Sequence, residues 1–142
     1  VVSFDNLTYA STDSINVEVL DTIISAAGLK PRTIPVSDIL EQRQNELMKM
    51  LPEFANAESS GLFAENFFLD TPLAIWQTAA KEMFADAGQI RNIGAIKAEN
   101  QLRGTFVAEG EDRDLRIFFT LTPEKSPSNQ ELSITIHERQ PK

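Results

Sequence analysis

Residues 61–88 read GLFAENFFLDTPLAIWQTAAKEMFADAG, and this stretch from Gly61 to Gly88 decides the fold. It holds four of the nine Phe and the only Trp, which makes it the expected centre of the core. Thr71 is a favourable N-cap, and Pro72 suits the first helical position because its missing N–H has no intrahelical partner there. Leu73, Trp76, Ala80, Met83, Phe84 and Ala87 recur at three- and four-residue steps, while Gln77, Lys81, Glu82 and Asp86 fall elsewhere. That pattern predicts an amphipathic helix from the Thr-Pro pair to Gly88, a C′ residue that adopts the left-handed conformation cheaply. Leu62, Phe63 and Phe67 repeat at a similar spacing after Ser59, Ser60 and Gly61, which predicts a short preceding helix ending near Asp70.

Beyond Gly88 the period changes from helical to two. Ile90 to Glu99 predicts a strand that Gly94 weakens or bulges. Leu102 to Glu109 and Asp114 to Thr122 alternate apolar and polar residues on either side of Gly110, Glu111, Asp112 and Arg113, which supply turn chemistry for a hairpin. Leu132, Ile134 and Ile136 mark a further strand after the loop 123–130. Upstream, Ile15, Val19, Leu20, Ile23, Ile24 and Ala27 predict a helix ending at Gly28, although the alternation Ile15, Val17, Val19 leaves a strand open at its start. A second upstream helix is predicted from Asp38 to Leu51, with Asp38 and Glu41 as a capping box and Pro52 closing it.

Helices followed by an antiparallel meander imply an α+β fold, with N-terminal helices on a curved antiparallel sheet of about four strands. The 142 residues read as one domain: 1–10 an arm or linker remnant, 11–58 helical, 59–138 the helix-helix-meander core. The net charge of −8 without a Lys/Arg cluster excludes the electrostatic footprint of a nucleic-acid or anionic-membrane binder. Cysteine is absent, so disulfides and thiolate chemistry are excluded. No apolar run approaches the roughly 20 residues of a membrane span. The chain begins at Val1 rather than Met, which reads as a processed product or a trimmed chain.

The string LFAENFFLDTP at 62–72, the helix ending in Gly88, the strand starting at Ile90, the Gly104 strand and the LTP close at Leu121 to Pro123 together show a resemblance. They resemble the small N-terminal accessory domain of bacterial β-lactamase-like serine hydrolases, a steroid-isomerase-like or cystatin-like domain of the nuclear transport factor 2-like superfamily. The resemblance spans about Ser60 to Ile136. It implies helices laid across a curved sheet, a nucleophile carried by a separate larger domain, and, with the missing Met, a periplasmic or secreted location. The Ser-x-x-Lys signature of that larger domain is absent here. The nearest string, Thr78-Ala79-Ala80-Lys81, has the wrong nucleophile and lies within a core helix.

No catalytic residue follows from the resemblance, and none is assigned. A steroid-isomerase-like site needs a carboxylate base with Tyr and protonated Asp donors in an apolar pocket. The only tyrosine, Tyr9, lies in the N-terminal arm. Glu65 and Asp70 are the candidate buried carboxylates, against the simpler readings of an exposed helical position and a helix-approach residue. Phe67, Trp76, Phe106 and Phe118 are the candidate pocket lining, although aromatics at such spacing more often fill a core. His137, the sole histidine, shares a strand face with Ser133 and Thr135 and reads as a surface residue; one histidine excludes a His-based metal cluster. Glu109, Glu111, Asp112 and Asp114 lack EF-hand spacing and read as a solvated turn. Asn6-Leu7-Thr8 matches a glycosylation sequon by pattern alone. The expected function is a non-catalytic binding or accessory module for a small apolar ligand or a protein partner, with no cofactor and no metal. The alternatives are a steroid-isomerase-like enzyme using a buried carboxylate, or a homodimer formed through the sheet face of Arg116, Phe118 and Thr120.

Overall fold

The computed structural model describes residues 13–29 and 34–137. The arm 1–10, with Tyr9 and the sequon, lies outside the described residues. The chain divides into two compact units, 1–33 and 34–142. This boundary falls inside the segment 11–58 that reads as one helical part.

In the first unit, Asp13–Ala26 form helix α1, so the strand open at its start is not used. Its C-terminus is closed by two backbone bonds: Leu29 N–H donates to Ile24 O at 3.0 Å and Gly28 N–H to Ser25 O at 3.2 Å. Gly28, at φ 63°, supplies the left-handed residue this closure requires. Ile15, Val17, Val19, Leu20 and Ile23 are exposed along the helix.

The second unit begins with helix α2, Asp38–Met50. Its N-cap is Ser37, one residue before the predicted capping box, with the hydroxyl accepting from Leu40 N–H at 3.4 Å. That hydroxyl also donates to Gln101 O at 2.6 Å, so one side chain starts the helix and fixes it to the sheet. Leu40 and Leu47 are fully buried. Gln44 Nε2 donates to Gly94 O at 2.9 Å and Arg43 to Pro127 O, which ties the helix to two further loops.

A 3₁₀ turn, Ala57–Ser59, leads to the four-residue helix α3, Phe67–Asp70, and then to α4, Leu73–Ala87. The structure corrects the reading here in two places. Leu62 and Phe63 are not helical: Phe63 bridges Asn129, with Ala64 N–H donating to Asn129 O at 2.9 Å, so this segment extends the sheet. Pro72 rather than Thr71 is the N-cap of α4, without a side-chain cap bond; an extended Pro72 passes its carbonyl to Ile75 and Trp76 N–H. Gly88 ends α4 at φ 71°, ψ −157°, a region open in practice only to glycine.

The sheet is antiparallel, open and curved, built from β1 (Ile90–Ile93), β2 (Lys97–Asn100), β3 (Arg103–Gly110), β4 (Asp114–Leu121) and β5 (Asn129–His137). β1 and β2 pair in succession with one flank of β3, so they are the single predicted strand interrupted at Gly94. Gly94 N–H donates to Val107 O at 2.8 Å within that interruption. The α+β class with helices on an antiparallel sheet is therefore the observed architecture. Strand alternation turns Phe106, Ala108, Leu115, Ile117, Phe119, Leu121, Leu132 and Ile134 to the helices, all of them buried. Thr105, Arg116, Phe118, Ser133 and Thr135 turn to the opposite face. Among the described residues, no helix is long and apolar enough to cross a membrane.

Candidate functional site

The Phe-rich corner is a solid cluster. Phe63 stands 4.7 Å from Phe67 and 5.1 Å from Phe68, centroid to centroid; Phe67 stands 5.3 Å from Trp76, and Phe54 joins from the α2–α3 connection, 5.8 Å from Phe63 and 6.1 Å from Trp76. The tilted rings are in mutual contact, the arrangement of aromatic side chains packed in a core. Trp76 lies at the margin of this cluster, half-buried, and its Nε1–H finds no acceptor among the described residues.

The four residues read as candidate pocket lining are not brought together. Phe67 and Trp76 share the corner. Phe106 is 1% exposed and packs edge to face on Phe119 at 6.1 Å, deep between the sheet and the helices. Phe118 alternates with Ile117 and Phe119 and so points to the far face, where the Arg103 guanidinium covers its ring at 4.7 Å. The two candidate buried carboxylates are corrected as well, because Glu65 and Asp70 are both exposed. Phe67 takes the inward position of this short segment and leaves its polar neighbours to solvent.

His137 is exposed at the end of β5, where the register sets it beside Asp114. In the acidic turn, Arg91 pairs with Glu111 at 2.6 Å, and Asp112 and Arg113 N–H groups donate to Ala87 O at the end of α4. The turn is thus a clamp on the helix terminus. Among the described residues, no group of three or more His, Cys, Asp or Glu side chains is arranged to hold a metal ion.

Two polar anchors carried no sequence signal. Asn129, fully buried, donates from both its backbone N–H and its Nδ2 to Leu62 O, at 2.7 and 2.8 Å. Arg43 donates from Nε and Nη2 to Pro127 O and pairs with Glu46. Arg43, Glu46, Lys49, Met50, Ala55 and Leu62 border an open groove of about 310 Å³. Burial opposes ionisation of Glu46, but hydrogen bonds from Gln42 and Arg43 and the charges of Arg43 and Lys49 outweigh it and hold its carboxyl below the usual value. A lowered carboxyl pKa contributes stability that is complete above the unfolded-state pKa and lost as pH falls through the folded one. Glu46→Gln is therefore expected to cost only about 0.5 kcal/mol at neutral pH, since the side chain is partly exposed. The difference from wild type should shrink in urea melts taken at progressively more acid pH, and a difference independent of pH would contradict this account.

No protein-family model, curated protein or solved structure matches the chain.

Proposed function

We propose that this chain is a non-catalytic accessory module that acts on a protein partner through its surface. The observation that carries this reading is the ring-on-ring packing of the Phe54, Phe63, Phe67, Phe68 and Trp76 corner, where the aromatic side chains contact one another rather than line a common hollow with Phe106 and Phe118. The exposure of Glu65 and Asp70 speaks against a desolvated base for steroid-isomerase-like proton transfer. The resemblance to accessory domains of β-lactamase-like serine hydrolases supports the same reading, since such a domain leaves chemistry to its neighbour. The aliphatic row of α1 is the kind of surface that a partner would cover.

The reading is tested with a steroid and a medium-chain fatty acid, each titrated into the protein while Trp76 emission and the melting temperature are followed. A ligand at about 100 times its dissociation constant adds ~2.7 kcal/mol of stability, a rise of several degrees. The expected result is no saturable change in emission and no rise in melting temperature. A stoichiometric response to either compound would replace the surface reading by a pocket.

A further inference from the structure

The two edges of the sheet are built differently. β1 and β2 are four residues each, carry register shifts against β3 and expose Arg91, Lys97 and Glu99. Short length, bulges and charge are the devices that prevent an edge strand from pairing with another chain. β5, the opposite edge, is nine residues long, and its segment Glu131–His137 reads ELSITIH without Pro or Lys and in regular register with Asp114–Thr120. It is rich in β-branched residues, its one register shift against β4 lies before Glu131, and Glu131 is its single Asp, Glu, Lys or Arg side chain.

The direction of its free backbone groups follows from its neighbours. Leu121 N–H donates to Leu102 O at 2.7 Å, on the β3 side of β4. Alternation then turns Thr120, Phe118, Arg116 and Asp114 toward β5, where their register partners are Glu131, Ser133, Thr135 and His137. Leu132, Ile134 and Ile136 therefore aim their N–H and C=O groups away from the sheet, and no backbone group among the described residues meets them there. At Asn129 the edge is closed by the segment 62–64, with Asn129 N–H donating to Leu62 O at 2.7 Å.

We propose that β5 pairs antiparallel with β5 of a second copy about a two-fold axis centred on Ile134, joining the two sheets into one. In that register the outward residues meet each other: Leu132 faces Ile136 of the second copy and Ile134 faces itself, exchanging about six hydrogen bonds. On the helix-covered side of the sheet, apolar meets apolar. On the far side Ser133 faces Thr135, and the Glu131 carboxylate faces an imidazole N–H donor at His137. Every pair is complementary, which is what a two-fold interface requires. A centre shifted to Ser133 drives His137 onto Asn129, where the edge is already occupied by the segment 62–64. A centre shifted to Thr135 leaves Glu131 without a partner in the strand. Three exposed aliphatic residues, Leu69, Ile75 and Ile136, lie on α3, α4 and β5, where both helices pack against β5.

Sedimentation equilibrium of the full chain tests this, with a dimer of twice the 15.8 kDa chain mass as the expected species. Ser133 and Thr135 are both exposed, so Ser133→Lys/Thr135→Lys leaves the core residues in place and sets Lys against Lys across the axis, while a thermal melt of the variant reports the added repulsion between position 135 and Arg116 inside the monomer. Its dissociation constant should rise about tenfold or more, and Ser133→Glu/Thr135→Glu should behave alike. Mixing the two variants should restore a heterodimer, which a variant damaged in folding cannot do. Ile136→Pro, which deletes an outward N–H but no bond to β4, should also weaken the dimer. The proposal is overturned by a wild-type chain that stays monomeric up to about 1 mM, a concentration at which even weak pairing is populated. It is equally overturned by a dimer indifferent to the Lys pair, by failure of mixing to restore association, or by a dimer lost in Phe118→Ala but kept in the edge variants, which would place the interface on the sheet face.

Discussion

Gly110→Ala is expected to destabilise the protein by more than about 4 kcal/mol, a loss seen only where a named clash or cavity is created. A Cβ at this position would stand 2.2 Å from Arg113 O and 2.3 Å from Ala87 O, both backbone atoms. Neither can retreat alone. Ala87 O ends α4 and accepts from Asp112 N–H at 2.9 Å and Arg113 N–H at 3.4 Å, so moving it breaks the clamp between the helix and the β3–β4 turn. Gly104 is the comparison, since its Cβ would meet one side-chain methyl, Ile96 Cγ2, at 2.6 Å and the backbone Lys97 O only at 3.3 Å, so no backbone atom is forced to move as far as at Gly110. Gly104→Ala should cost only about 1–2 kcal/mol, within the usual range for overpacking. Urea midpoints at constant slope measure both. A cost below about 1 kcal/mol for Gly110→Ala would mean that the turn does not rest on α4.

Phe54→Ala is expected to cost about 3–5 kcal/mol, against ~2 kcal/mol for Trp76→Ala, because only the first ring is fully enclosed. Phe54 also sits at φ 49°, a left-handed conformation that a bulky residue adopts only when its surroundings enforce it. The burial of its ring against Phe63 and Trp76 supplies that enforcement. Phe54→Gly should therefore be no less stable than Phe54→Ala, the reverse of the usual order for these residues. Thermal and urea unfolding of the three variants decide the ranking. A larger loss at Trp76 than at Phe54 would return the centre of the corner to α4.

The strands were legible because each depends on a period-two pattern bounded by turn residues. The hairpin of β3 and β4 lies within a residue of its predicted ends, and Gly94 marks the break between β1 and β2. α4 and α2 were legible for the matching reason at period 3.6. The segment 62–66 was not, since its spacing imitates a helix whereas its backbone bonds go to Asn129, 65 residues away in sequence. Phe54 was invisible on similar grounds, lying in a connection with no period. As for the candidate site, Phe67 and Trp76 were read together as pocket lining and do meet, whereas the exposure of Glu65 and Asp70 depends on which side of a four-residue helix turns inward.

The residues from Gly61 to Gly88 carry, by themselves, a long amphipathic helix closed by glycine next to an aromatic-rich approach, and the alternation after them carries an antiparallel sheet. Those features are local: caps, turns and periodicity act over a few residues and are written in order along the chain. Whether the aromatic corner is a pocket or a filled core, and which sheet edge is left open, arises only in three dimensions. Phe54, Phe63, Phe67 and Trp76 meet from different segments, and β5 is an edge because β1 and β2 both pair with β3. Long-range contacts decide such matters, since burial and free backbone groups belong to the assembled surface and to no single stretch of sequence.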